Sequence, residues 1–335
     1  MANSTGTATD IDDLFDQLIT FATANGWTEE EPTSTNSSPA LSRGDCFVQW
    51  RYGGTSPPTN RTVSMTQALA YINSSTDPGN HTDDSGNGEE TTTPTDAVLK
   101  AERCISDFGD GPFSYWFFED DADQPYIHVV VEVRTEEYRH FGFGTISKFG
   151  SWTGGEYAYG HYQAAGGTNG ATLASATVLL DGLYEDATVS TAKRAATIHI
   201  EGMPNQAAAG KWGQVAGGNS ARPDDRAGED KIRIQGGFRS GPVANSWGNF
   251  SGAALDGLVP MYQIALFYVD EVSDHAYYLG NMIDVRGLNN RHFTPGEEVV
   301  IGSDTWVVFP MSIRTATLTV ALSSAYSGIA YRKVT

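Results

Sequence analysis

The sequence predicts an α+β fold that is predominantly β: an N-terminal α+β domain with an antiparallel meander, then a C-terminal β-sandwich or partial barrel. Three observations lead there. One amphipathic helix stands near the N-terminus; four aromatic and β-branched runs follow one another between residues 114 and 163; beyond residue 165 helix signals nearly vanish in favour of short runs broken by Gly, Pro, Asn and Asp. A chain of 335 residues is long enough for two domains. The boundaries expected are 1–165 and 166–335, with the last ~45 residues able to pack back on the first domain.

In chain order, Asp10 can cap a helix whose apolar positions Ile11, Leu14, Phe15, Leu18, Ile19 and Ala22 recur at three- and four-residue steps. Asn25-Gly26 then stops it. Residues 28–45 are polar and Pro-containing, after which CFVQWRY (Cys46 to Tyr52) alternates like a strand. Ser64 is read as the cap of a two-turn helix through Ala68, Leu69 and Ile72, residues 74–94 as a long acidic loop, and Thr95 to Cys104 as a third short helix. The runs SYWFFED, YIHVVVEVR, YRHFGFGTISK and GEYAYGHYQ supply the meander, which the first helix can cover on one face. AAGGTNGATLASAT marks a boundary. After it, ATIHIEG, DKIRIQGG, MYQIALFYVD, AYYLGNMIDVR, EEVVIG, DTWVVFPM, ATLTVAL and SGIAYRKV read as strands, and the Gly-rich stretch 210–253 as long surface loops.

Charge and composition narrow the function. A formal charge of −20 repels nucleic acid and anionic membranes. No run approaches the ~18 apolar residues that cross a bilayer, and MANSTGTATDIDD lacks the basic and apolar regions of a secretory signal, so synthesis in a cytoplasm is expected. Cys46 and Cys104 match no metal or redox spacing and read as buried thiols, with a disulfide between them as the alternative.

The chemically richest segment is the hairpin Tyr126 to Gly150. Alternation places Tyr126, His128, Val130, Glu132 and Arg134 on one face and a valine core on the other. A three-residue turn after Arg134 would pair Glu132 with His140 and set His128 opposite Gly144. With His161 on the next strand, His128, Glu132 and His140 are then the candidates for a metal or acid–base site, as in a metal-assisted hydrolase. The competing reading is an ordinary cross-strand pair in a packed sheet, which needs no ligand and leaves catalytic, cofactor and metal roles unfilled. FGFG lacks the rest of a phosphate loop, so its glycines read as places where an aromatic ring lies over bare backbone. Asp83 to Gly88 opens like a calcium loop, but Pro94 stands where the closing Glu belongs. Glu119, Asp120, Asp121 and Asp123 read as an acidic turn, and Tyr157, Tyr159 and Tyr162 as core or interface residues rather than a sugar-stacking surface.

SYWFF, YIHVVVEV, YRHFGFGTISKFGSWTGGEYAYGHYQ, the N-terminal LFDQLITFATANGWT and the C-terminal VVIGSDTWVVFPM and YSGIAYRKV together resemble uncharacterised virion structural proteins of tailed bacteriophages. The resemblance covers the first 165 and the last 45 residues. It implies a non-enzymatic, cofactor-free, oligomeric component of a tail or baseplate, made in the host cytoplasm and located in the virion. Its partners would be other virion proteins and copies of itself, with segments 74–94, 150–170 and 210–253 as contacts. The alternatives are a host-receptor or glycan adhesin, and a capsid-decoration or neck protein.

Overall fold

The computed structural model describes residues 2–31, 39–52, 63–68, 108, 111–119, 124–163, 175–177, 196–205, 212–216, 231–234, 261–270, 275–290, 292–310 and 327–334. Among the described residues there are one helix, α1 (Ile11–Ala24), and twenty strands, so the protein is predominantly β. Strand β1 (Ala2–Ala8) opens a long sheet, while β2 (Thr28–Glu31), β3 (Ala40–Arg43), β4 (Cys46–Tyr52) and β5 (Val63–Ala68) form a four-stranded antiparallel sheet. The meander is β6 (Phe113–Glu119), β7 (Tyr126–Arg134), β8 (Glu137–Thr145) and, after the two-residue β9 (Ser147–Lys148), β10 (Thr153–Tyr159). Strands β11 (His161–Gln163) and β12 (Ser175–Thr177) pair as a separate sheet. The chain continues through β13 (Ala196–Glu201), β14 (Trp212–Ala216), β15 (Lys231–Ile234), β16 (Tyr262–Asp270), β17 (His275–Asn289), β18 (Glu297–Ile301), β19 (Asp304–Pro310) and β20 (Ser327–Lys333).

The long sheet runs β1-β6-β7-β8-β10-β13-β14-β15-β16-β17-β20-β19-β18, with β9 attached to β17. Its pairing crosses residue 165 through β10–β13 and β9–β17, and no sheet among the described residues closes into a barrel. All its pairs are antiparallel except β14–β15.

Helix α1 forms for the reasons its sequence advertises. The Asp10 carboxylate accepts the Asp13 amide (3.0 Å), and Asp13 returns the favour to the Thr9 amide (2.7 Å), a reciprocal cap. Asn25 and Gly26 bond back to Ala22 and Thr23 at the other end. The buried stripe Ile11, Leu14, Phe15, Leu18, Ile19, Phe21 and Ala22 packs, with Trp27, Val48, Trp50 and Met65, on Ile127, Val129, Val131, Val133, Phe141 and Phe143. The odd-numbered valines of β7 therefore face the helix and small sheet. The even-numbered face of β7, with Phe118, Tyr138, Tyr157 and Tyr159, meets Ile264, Leu266, Met282, Val285, Val307, Phe309, Ile329 and Tyr331. The β6–β8 meander is thus covered on both faces, and its second cover consists of β13, β16, β17, β19 and β20.

One expectation is corrected, and two further segments take part in the sheets. Residues 63–68 form β5, not a helix capped by Ser64: six residues pair with β4, and Met65, opposite Trp50, is buried with it in the core. Among the described residues, 28–45 hold two strands, β2 and β3, and residues 2–8 form β1, seven residues in register with β6. In each case pairing to a neighbouring strand overrides weak local signals. The helix expected at 95–104, the loop 74–94 and the calcium-like Asp83–Gly88 lie outside the described residues, as do most of 164–174 and 210–253.

Candidate functional site

The β7–β8 hairpin turns in two residues. Arg134 pairs with Glu137, Glu136 takes φ 61°, and an irregularity lies between Glu132 and Arg134. The resulting register sets Glu132 opposite Tyr138, Val130 opposite His140 and His128 opposite Gly142. The expected Glu132–His140 and His128–Gly144 pairs do not form. The offset is two residues, so parity is kept, and His128 and His140 still share a face.

The four sequence candidates separate. Glu132 accepts the Glu136 amide (3.1 Å) and stabilises the turn. His161 lies on β11, paired with Thr177 of β12. Among the described residues no group of three His, Cys, Asp or Glu side chains is arranged to hold a metal. His128 and His140 come together in another way, through two tyrosines that the register argument had not connected to them.

Both imidazoles are fully buried. Nε2 of His128 lies 3.0 Å from the Ile283 carbonyl and Nδ1 lies 3.0 Å from the Tyr159 hydroxyl. His140 repeats the pattern with the Pro310 carbonyl and the Tyr331 hydroxyl, both at 2.9 Å. A carbonyl only accepts, so Nε2 carries the proton in each ring and Nδ1 accepts from the phenol. The two phenol oxygens stand 3.4 Å apart, each with its single proton committed to its own histidine. His128, Tyr159, Tyr331 and His140 form one continuous polar seam inside an apolar cluster.

Burial keeps this seam uncharged. It lowers His128 to about 3, against the bond to Ile283, and His140 to about 4, against the bond to Pro310 and helped by the Arg139 charge. The same desolvation raises Tyr159 and Tyr331, so both phenols keep their protons. At one end of the seam the Tyr126 ring lies 4.9 Å from His128, and its hydroxyl donates to Asp284 (2.5 Å), which Arg332 also approaches at 3.3 Å. Gly142 makes the packing possible: a Cβ there would fall 2.6 Å from the Tyr159 ring, 2.8 Å from the Ile127 carbonyl and 2.9 Å from His128 Nδ1. The strand glycine is indeed where a ring covers bare backbone.

All four ring nitrogens are engaged within the protein, so the seam offers no lone pair to a ligand. Its effect is mechanical: it ties β7, β8 and β10 to β17, β19 and β20 at fixed points in an otherwise non-directional interface. Tyr157 and Tyr159 are core residues, which excludes them as a sugar-stacking surface. Glu119 is not in an exposed turn. It ends β6 fully buried, accepts from Trp27 Nε1 (3.0 Å) and Arg43 Nη1 (2.6 Å), and is pushed up to about 8 by burial despite those donors. Asp120, Asp121 and Asp123 lie outside the described residues.

No protein-family model matches the chain, and no curated protein matches it.

Proposed function

We propose that this protein is a non-enzymatic structural component of a tailed-phage virion, in the tail or baseplate, acting through interfaces with copies of itself and other virion proteins. The observation that supports the reading is the fate of the hairpin. Its histidines, the best chemical candidates in the chain, are used up as internal fasteners of a two-sided sheet packing.

The exposed features suit assembly. Among the described residues β18 ends the long sheet, and on it Val300 is 70 % and Ile301 48 % exposed. An edge strand with uncovered apolar side chains is a template for strand addition or subunit contact. Phe149 is also exposed, held by its amide to the Leu279 carbonyl (2.8 Å) and lying 5.3 Å from Tyr278.

Quantitative mass spectrometry of purified tailed-phage particles from the source tests the proposal. It requires the chain at a stoichiometry compatible with ring symmetry. Presence in infected cells but absence from particles would overturn it.

A further inference from the structure

Away from the seam, a third histidine, His199, is arranged in the opposite way. His199 on β13 has Nδ1 2.6 Å from Glu156 Oε2 on β10 and Nε2 3.0 Å from Glu201 Oε1 on its own strand. A carboxylate can only accept, so both contacts are hydrogen bonds only when both ring nitrogens carry protons. A neutral ring can serve one carboxylate and must turn a lone pair toward the other.

The clasp sits at an irregularity of the sheet. The β10–β13 ladder is interrupted between Gly154 and Tyr157, the stretch that contains Glu156. Gly154 has φ +112°, and a Cβ there would lie 2.2 Å from the His199 carbonyl oxygen, so the backbones cross too closely for any other residue. Side-chain bonds bridge a gap that backbone bonds leave. In the sheet order, this junction carries the meander into the later strands.

We propose that the Glu156–His199–Glu201 clasp is a pH-gated fastener of the β10–β13 junction, closed while His199 is an imidazolium and opening at its Glu201 end when the ring becomes neutral. The asymmetry follows from exposure. Glu156 is nearly enclosed and has little water to turn to, whereas the Glu201 side chain is 38 % exposed and can be hydrated on release.

Among the described residues, the charges that act on His199 are those of Glu156 and Glu201. Across from His199 stands Trp212 of β14, and the residues of β14 include no ionisable side chain. Across from Glu156 stands Thr145 of β8. On β9, Lys148 lies with its stem against Gly155 and its ammonium 5.5 Å from the Trp152 ring centre. Desolvation lowers His199, but the hydrogen bonds and charges of Glu156 and Glu201 outweigh it and raise the group above 6.5. The clasp therefore contributes its full stability below pH 6.5 and loses it as pH rises through the folded-state value.

Nitrogen-15 NMR of the His199 ring, combined with amide hydrogen exchange on the full chain, tests this. Across the ring titration, protection of Glu201 and the paired Thr153, normalised to H199Q at each pH, should fall roughly tenfold, the order expected for losing one charge-assisted bond. Protection at Ile198 and Tyr157, beyond the irregularity, should hold. E201Q, which alters the exposed arm and leaves the Glu156 contact intact, should move the His199 titration to lower pH; it serves as the reference if H199Q does not fold. A ring that titrates below pH 6.5, or protection at Glu201 with the same pH dependence in wild type and variant, overturns the proposal.

Discussion

Acidification from pH 7 to pH 5 acts on the seam through His128 and His140, and its size follows from their burial. In the unfolded chain both titrate near 6.5; in the fold they stay neutral down to about 3 and about 4. Because the folded values are depressed, the unfolded chain takes up protons first, so stability is lost as pH falls below 6.5. At pH 5 each unfolded imidazole lies one and a half pH units below its midpoint, while each folded one remains largely neutral. At about 1.36 kcal/mol per unit, each histidine costs about 2 kcal/mol, and the pair about 4 kcal/mol, a large part of the stability of an ordinary domain. Glu119 and His199, whose folded values are raised, pull the other way, so the clean quantity is a difference between proteins. Urea unfolding followed by Trp fluorescence at both pH values, for wild type, H128Q, H140Q and the double variant, supplies it. Gln can still donate to the carbonyl and accept from the phenol. The loss of stability between pH 7 and pH 5 should be about 2 kcal/mol smaller in each single variant and about 4 kcal/mol smaller in the double. Equal pH dependence in all four proteins would refute the claim that these rings are held neutral by burial.

Three further outcomes follow from the same packing. G142A should cost about 3 kcal/mol, because two of the three close contacts are to a packed ring and a backbone carbonyl, and near-UV circular dichroism should report disturbed tyrosines. The double substitution V300K and I301K should leave thermal unfolding within about 0.5 kcal/mol of wild type, since both side chains are exposed, while, under the proposed assembly role, lowering the oligomeric state seen by native mass spectrometry. V129A should cost about 2 kcal/mol in urea unfolding, because Val129 is fully buried between helix and meander.

Helix α1 was legible residue by residue because its cap, stripe and stop are all local signals. The faces of β7 and β8 were legible too, since alternation depends only on parity. The register was not: a two-residue turn followed by an irregularity at Val133 shifts every partner by two, and nothing in RTEEY distinguishes that from a three-residue turn. The partners of the two histidines were beyond reach for a different reason. Tyr331 lies 191 residues from His140, and Ile283 and Pro310 contribute backbone carbonyls, which have no residue signature. The His199 clasp was half visible, because HIE places His and Glu on one face of a strand, while Glu156 arrives from a strand 43 residues away. Strand β5 misled because Ala68, Leu69 and Ile72 fit a helical stripe, whereas the β4 edge decides the conformation.

The central claim is that the hairpin is scaffold, its histidines internally satisfied rather than poised for chemistry. Long-range nitrogen–proton NMR of His128 and His140 tests it most directly, with spectra recorded from pH 7 to pH 5 and again with added zinc. Both rings should remain in the Nε2-protonated neutral form throughout, unmoved by zinc, as their carbonyl and phenol partners require. Titration of either ring near pH 6.5, or a zinc-dependent shift of its Nδ1 or Nε2 signal, would contradict it.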